Sequence, residues 1–368
     1  MKKLFFIAAI ASVAFASCVK NDPAPSATEQ QEITFTAPVV ATTTKAQVEL
    51  LKKYPTTETF GVFALYYAGE FTGYDPKAVY MTDVEATHGT YTGTDGAWST
   101  AGYYWPKNNG TLTFAAYSPY DQTNVKASHD DSGIHFDDYV VTTNANVDLM
   151  FSDRAYNKTE ADQGTNTDNY YGVDLVFNHA LSAVKFMVNT TSQLQTDGYE
   201  FVIQKIELLK INNKGDFNQR LTAYATGNEE PATPVAAVAD WTLADSEEDY
   251  TAYDNSTGIS VTTTTAVSTI SDDATNKYAN LILMPQVLSA NNPAQLKVTY
   301  KYRHNNMASD EYVENNVVTT NLSVAGCDTW LRGKRYVYTL TMDLDKIYFA
   351  PRIEDWTDAT VSGPTIND

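Results

Sequence analysis

Cysteine is almost absent. The 368-residue chain has two, Cys18 and Cys327. If Cys18 carries lipid, Cys327 has no partner; no disulfide framework exists, and Cys327 reads as a small buried hydrophobe. Positive charge is scarce as well: 25 Lys and Arg stand against 45 Asp and Glu, a net charge of −20. A chain this acidic, without a basic stripe, is a poor nucleic-acid binder, and no nucleic-acid partner is expected. The plain consequence of the charge is solubility. Helical periodicity is missing outside the leader. So is any second apolar run approaching the ~20 residues needed to cross a bilayer as a helix. Catalytic signatures are missing too: no nucleophile elbow, phosphate loop, dinucleotide fingerprint or zinc-ligand spacing occurs. His88, His129, His135, His179 and His304 are scattered. The expectation is therefore a non-enzyme with no cofactor and no metal.

What is present is β-like. The chain has 25 Tyr and 15 Phe, with abundant Thr and Val, residues that suit a pleated, half-buried surface. Residues 59–69, TFGVFALYYAG, form a nearly continuous apolar run, as expected inside a sandwich. Asn109-Gly110 is a hairpin signal ahead of the alternating TLTFAAYSPY. VDLMFSD ends a first group of strands. Residues 154–169 are polar and turn-rich. A second group opens at residue 173 and runs through FVIQKIELLKI, YANLILMPQ, QLKVTYKYR and RYVYTLTMDLDKIYF. In the last of these Tyr336, Tyr338, Leu340, Met342 and Leu344 share one face. Residues 227–250 and 256–276 read as long surface loops or irregular edge strands. The spacing of strands and turns predicts an all-β chain of two β-sandwich domains, at 32–165 and 166–368.

The first 45 residues organise the rest. Lys2 and Lys3 precede an apolar stretch, residues 4–15, of the length of a signal peptide core. Small residues then lead to Cys18, which resembles a lipoprotein signal with Phe15 in place of the usual aliphatic residue. This assigns residues 1–17 to a signal peptide and Cys18 to lipidation. Residues 18–31, with Pro23 and Pro25, read as a flexible tether. Ile33, Phe35, Ala37 and Val39 alternate as one face of a strand. Residues 41–45 are a small polar link that ends in Lys45.

Other constellations have bland readings. His129, Asp130, Asp131, His135, Asp137 and Asp138 offer hard oxygens for calcium, but no known ligand spacing is met and a solvated turn is favoured. Cys327 lacks an adjacent base that would activate it. Trp98, Trp105, Trp241 and Trp356 are weak hints of sugar stacking.

The ordered set EITFTAPVVATTTKA, FGVFALY, YYWPKNNGTLTFAAYSPY, VDLMFSD, LVFNHALSAVKFMV, IELLKINNKGDF, LILMPQ and WLRGKRYVYTLTMDLDKIYFAPRIEDWTDA resembles the fimbrillin family, the lipoprotein-derived pilins of the type V pilus. The resemblance runs along nearly the whole chain. It implies two tandem transthyretin-like β-sandwiches, export as a lipoprotein carrying lipid (palmitate) on Cys18, and display at the outer membrane. It also implies removal of the first strand by a maturation protease and polymerisation with other pilin subunits by donor-strand exchange. Mapped here, residues 33–40 match the displaced strand and Lys45-Ala46 the cut site, with Lys45 where the family commonly has Arg. The candidate donor is the C-terminal region, with Ile347, Phe349, Ile353, Trp356 and Val361 as its apolar plugs. The same region can instead be the domain's own last strands. Two other readings stay open: a tip or anchor subunit that keeps its lipid, and a surface glycan-binding lipoprotein that does not polymerise. Any ligand on a host or bacterial surface is left open.

Overall fold

A computed structural model describes residues 31–40, 54–71, 73, 78–89, 97–107, 109–143, 146–163, 172–221, 232–269, 281–289, 292–344 and 346–356. The signal peptide, Cys18, the tether before residue 31, Lys45, Ala46 and Val361 lie outside them.

The described residues are almost wholly β. The first ten strands are β1 (Glu32–Phe35), β2 (Val39–Val40), β3 (Phe60–Tyr67), β4 (Ala78–His88), β5 (Trp98–Tyr104), β6 (Thr111–Ser118), β7 (Lys126–Asp130), β8 (Gly133–Val140), β9 (Met150–Ser152) and β10 (Ala155–Lys158). Next come β11 (Val176–His179), β12 (Ser182–Thr190), helix α1 (Ser192–Asp197), β13 (Tyr199–Asn212), β14 (Lys214–Asn218), β15 (Trp241–Leu243) and β16 (Glu247–Val261). The last are β17 (Val267–Ser268), β18 (Leu281–Leu283), β19 (Gln295–His304), β20 (Val313–Asn321), β21 (Lys334–Met342) and β22 (Ile347–Asp355). The helix is one short turn between strands, closed by Thr191, whose side chain accepts from the Leu194 amide, and by Gly198 in the left-handed region at φ 78°.

Four sheets result. The first runs β1-β5-β4-β3-β6-β9-β11-β2, with β10 also on β6. Its two ends, β1 and β2, belong to one short stretch of chain, so the sheet rolls up and closes on itself. The apolar interior holds Phe60, Val62, Phe114, Ala116 and Phe177. The opposite faces of β3, β6 and β9, through Phe63, Tyr117 and Phe151, pack on a second sheet, β15-β14-β8-β7. Tyr117 meets Phe136 at 5.9 Å and Phe151 meets Phe217 at 4.8 Å between ring centres. Burial on both faces is why β3 is apolar at nearly every position, and every residue of β6, Thr111, Thr113 and Ser118 included, is buried as well.

The remaining two sheets form the second sandwich. One runs β17-β12-β21-β22 with β18 on β12, and the other β16-β13-β19-β20. Phe186, Val188, Tyr338 and Leu340 of the first face Phe201, Ile203, Ile206 and Tyr300 of the second in one cluster. Tyr336, Tyr338, Leu340 and Met342 are all buried, as their shared face requires.

Two expectations meet a different structure, and a third is narrowed. Pairing does not break at residue 165/166: β11 joins the first sheet, and β14 and β15 pair with β8 across that position. Asn109 does take a positive φ of 50°, but β5 and β6 on either side pair with other strands, so the turn makes no hairpin. Residues 247–261, which overlap two stretches read as long surface loops or irregular edge strands, form one 15-residue edge strand. It lies at a sheet end, so little of it is buried and its apolar pattern is weak.

The join between the two halves carries a buried ionic clamp. Asp240 is 1% exposed and accepts from Arg220 Nε at 2.5 Å and Arg332 Nε at 2.7 Å. Arg332 also donates to the Pro234 carbonyl at 2.7 Å and lies 5.1 Å from the Phe151 ring centre. Asp240→Ala leaves the Arg332 guanidinium buried without its carboxylate. It is expected to cost about 3–5 kcal/mol in urea unfolding. Lys126→Ala removes an exposed pair with Asp138 and is expected to leave the denaturation midpoint nearly unchanged. Equal losses would show that the clamp does not anchor the join.

Candidate functional site

The site is built on residues 31–40. Glu32, Thr34 and Phe35 pair antiparallel with Tyr104, Ser99 and Trp98 of β5. On the other edge the same chain runs parallel to residues 173–177. Val173 N donates to Thr34 O at 2.8 Å, Thr36 N to Val173 O at 3.1 Å and Val39 N to Leu175 O at 3.0 Å. The segment therefore closes the first sheet, its first half pairing with β5 and residues 34–40 with residues 173–177. Ile33 and Phe35 are fully buried. The Phe35 ring meets Phe60 at 5.7 Å and Phe114 at 5.3 Å, both edge to face, the arrangement aromatic quadrupoles favour.

The expected face of Ile33, Phe35, Ala37 and Val39 holds for its first half. Residues 36–38 leave the strand between β1 and β2, where Pro38 supplies no amide hydrogen. The alternation shifts there: Ala37 and Val40 pack as half-buried residues against the core, and Val39 is half-buried outside that cluster.

A strap formed by residues 160–163 and 172–174 covers the strand. Gln163, fully buried at the end of the 3-10 turn Glu160–Gln163, is its centre. Its Oε1 accepts from Thr34 N at 2.9 Å and from Trp105 Nε1 at 2.7 Å, and its Nε2 donates to Glu32 O at 2.8 Å. One amide side chain thus satisfies two backbone groups of β1 where its register to β5 shifts. Gly172 presses on the same backbone. Its φ is +145°, and a Cβ there would sit 2.3 Å from the Phe35 carbonyl carbon, so no other residue fits. Asp174 Oδ1 accepts from Thr36 Oγ1 at 2.9 Å.

Removing residues 31–40 would leave a two-sided groove. On one wall are the free edge of β5 and Trp105, on the other the amides and carbonyls of residues 173–175, with Gln163 above. Unpaired edges of this kind template another strand. Ile33 and Phe35 together contribute roughly 3–6 kcal/mol of apolar burial, a large part of a typical domain stability of ~5–15 kcal/mol.

The candidate donor residues lie in their own chain. Ile347, Phe349 and Ile353 belong to β22, paired over nine residues with β21 from Met342↔Ile347 to Lys334↔Asp355. Ion pairs Lys334–Asp355 and Arg335–Glu354 fasten its far end. Ile347 and Phe349 pack at the margin of the core, and Ile353 is exposed. β22 ends its sheet, and among the described residues no strand pairs with its outer edge. Trp356 is buried and stacks on His179 at 3.9 Å with 3° between the rings. His179 Nδ1 in turn lies 2.9 Å from an Asp148 carboxylate oxygen.

The acidic hairpin folds on itself. Asp130 Oδ1 accepts from Ser132 N and Oγ and lies 2.8 Å from His135 Nε2. Asp138 is shared by Lys126 and Lys214. Among the described residues no three His, Cys, Asp or Glu side chains converge as a metal site. Burial and the Arg154 guanidinium, whose Nε donates to His129 Nε2 at 3.0 Å, push the His129 imidazole down to about 3. Cys327 is buried with Sγ 3.6 Å from the Tyr338 hydroxyl, and burial raises its thiol, the opposite of nucleophile activation. Trp98, Trp105, Trp241 and Trp356 are all buried, which removes them as sugar-stacking surfaces. Sequence reasoning missed Gln163, Gly172 and Asp174. They fall in or just after the polar stretch read as a domain boundary, and only the fold brings them to β1.

Residues 44–356 match the family model described as fimbrillin-like. The chain belongs to the fimbrillin-like family. Its fold is similar to that of a fimbrial protein from Bacteroides vulgatus, at 19% identity and TM-score 0.53 over 88% of this chain and 99% of that one. It is also similar to a candidate cell adhesion protein from Bacteroides uniformis, at 15% identity and TM-score 0.50 over 90% of this chain and 100% of the other. No curated protein matches it by sequence.

Gln163→Leu leaves Thr34 N, Glu32 O and Trp105 Nε1 buried without that partner. It is expected to lower unfolding stability by about 2–4 kcal/mol, as read by urea denaturation. A change under ~0.5 kcal/mol would show that the strap does not hold the strand. His129 makes a separate prediction. Its folded pKa lies below the ordinary 6.5, so below about pH 6.5 the unfolded chain binds a proton that the folded chain does not. Stability should fall as pH drops from 6.5 to ~4.5, by up to ~1.4 kcal/mol per unit. His129→Gln, which keeps an acceptor for Arg154, should flatten denaturation midpoints over that window.

Proposed function

We propose that this chain is a non-enzymatic structural subunit of a cell-surface fimbria that supports adhesion. In this reading it is exported as a lipoprotein through Cys18 and held at the outer membrane by that lipid. A protease cuts after Lys45, residues 31–40 leave, and the groove is filled by a donor strand from the C-terminal region of another subunit. Membership of the fimbrillin-like family supports the class. The observation that carries the mechanism is the double pairing of residues 31–40: one excisable segment supplies both a strand's hydrogen bonds and the Ile33 and Phe35 plugs. A groove filled head to tail does not close on itself, so it makes filaments.

The engagement of β22 and Trp356 within their own chain favours a second reading, a tip or anchor subunit that keeps its lipid and donates no strand from this region. The buried tryptophans weigh against the glycan-binding alternative.

Maturation separates these. In cells that assemble the fimbria, the surface form of the wild-type chain should begin at Ala46 and run as SDS-resistant ladders. Lys45→Ala should hold it as the lipidated form beginning at Cys18, without ladders. A wild-type surface form that begins at Cys18 would contradict the stalk assignment and favour the tip or anchor reading.

A further inference from the structure

The end of β14 brings a hydroxyl, a carboxylate and a side-chain amide into one chain of hydrogen bonds. Gln219, the residue after β14, is 1% exposed. Its Oε1 accepts from the Ile134 amide at 2.9 Å. Its Nε2 donates to the Ser152 carbonyl at 3.1 Å and to Thr233 Oγ1 at 2.9 Å. The Thr233 hydroxyl donates in turn to Asp153 Oδ1, and Asn178 Nδ2 donates to the same oxygen at 3.0 Å. Three separate places in the chain meet here: the end of β14, the residue after β9, and the half-buried start of the segment that leads to Asp240.

We propose that Thr233 and Gln219 join as an intramolecular ester, a cross-link that the chain makes on itself. Every part of such a reaction has a group in place. Thr233 Oγ1 is the nucleophile and Asp153 the general base that touches it. Gln219 Cδ is the electrophile, and the Ile134 N–H faces the oxygen on which charge gathers during attack. Thr233 Oγ1 is 2.9 Å from Nε2, which is bonded to Cδ, so Cδ stands within ~4.2 Å of the hydroxyl. An approach of about 1 Å makes the two a near-attack pair. The atoms balance without a co-reactant. Oγ1 bonds to Cδ while its proton passes to Asp153. The Cδ–Nε2 bond then breaks, Nε2 takes that proton, and ammonia leaves.

A free alcohol and a free amide do not react at a useful rate in water, and two features separate this pair from an ordinary contact. Main-chain groups hold both ends of the Gln219 amide, so it is oriented in advance. Its surroundings are also tight: a Cβ on Gly133 would stand 2.4 Å from Oε1. Such enclosure keeps out the water that would hydrolyse the product. Thr341 and Asn189 make a useful contrast. There the hydroxyl donates at 2.7 Å to the amide oxygen instead of to a carboxylate, so it has no base.

The bond would tie residue 233 to the end of β14. The segment it starts carries the Pro234 carbonyl and the Asp240 carboxylate that hold Arg332. The ionic clamp at the join would thereby gain a covalent anchor in the first sandwich. The cross-link does not depend on strand exchange.

Peptide mapping of the full chain tests the bond. Trypsin cuts after Lys214, Arg220 and Lys277, which places Gln219 and Thr233 in separate peptides, 215–220 and 221–277. The expected result is a joined species about 17 Da lighter than the two peptides together, the mass of the ammonia lost in acyl transfer, and separated by hydroxylamine. Thr233→Val should abolish it and Thr233→Ser should keep it. Asp153→Asn should slow its appearance by about 10²–10⁴-fold. Wild-type protein, folded and held at neutral pH, that yields only the separate peptides would overturn the proposal, and this map decides the bond whether or not Asp153→Asn folds. A joined species in Thr233→Val would overturn Thr233 as the nucleophile. Formation at the wild-type rate in Asp153→Asn would overturn Asp153 as the base.

Discussion

The first sheet depends on the strand that closes it. Residues 31–40 are hydrogen-bonded to β5 on one side and to residues 173–175 on the other, so they join the two ends of a long rolled sheet. Without them the sheet has two raw edges and an open core. The strength of this closure lies in its redundancy. Backbone pairing on both sides, two fully buried apolar side chains and the Gln163 amide all act on the same few residues. Backbone contacts hold any strand of the right course, and the side-chain pockets select among them.

That division of labour suits an assembly module. A groove read mainly through main-chain groups can accept a strand of different sequence, as β-augmentation sites do. The rest of the molecule resists such exchange. The second sandwich has a continuous apolar interior, and the Asp240–Arg332 pair ties it to the first. Under the proposed function, loss of the N-terminal strand would act on one end of a body whose other end is independently held. Local opening within a stable remainder is the usual way that proteins keep a labile functional element.

Much of this fold was legible in the sequence. The all-apolar run at 59–69 announced a strand buried on both faces, and the alternation at 336–342 announced the inner face of β21. Ile33 and Phe35 stood out as a strand whose neighbours were polar links. These features are local: side-chain periodicity records burial directly. The pairing of β8 with β14 is not local, since nothing in either strand names a partner ~80 residues away. For the same reason the division at 165/166 looked clean in sequence while the sheets run across it. Asn109-Gly110 shows the same limit, because a turn-forming dipeptide specifies a bend but not which strands pair. Gln163 was the hardest to see. A glutamine in a polar stretch carries no signal until the fold sets it over a buried strand. The four tryptophans were only weak hints of sugar stacking, and the fold buries all of them, since residue type alone does not separate a core ring from an exposed one.

Hydrogen exchange across three forms of the protein tests the central claim most directly: the intact chain, the chain cut and stripped of residues 31–40, and the assembled polymer. Amides of residues 98–105 and 173–175 should be protected in the intact chain, lose protection when the strand is stripped, and regain it on assembly. Protection that survives removal of the strand, or that does not return in the polymer, would contradict the account.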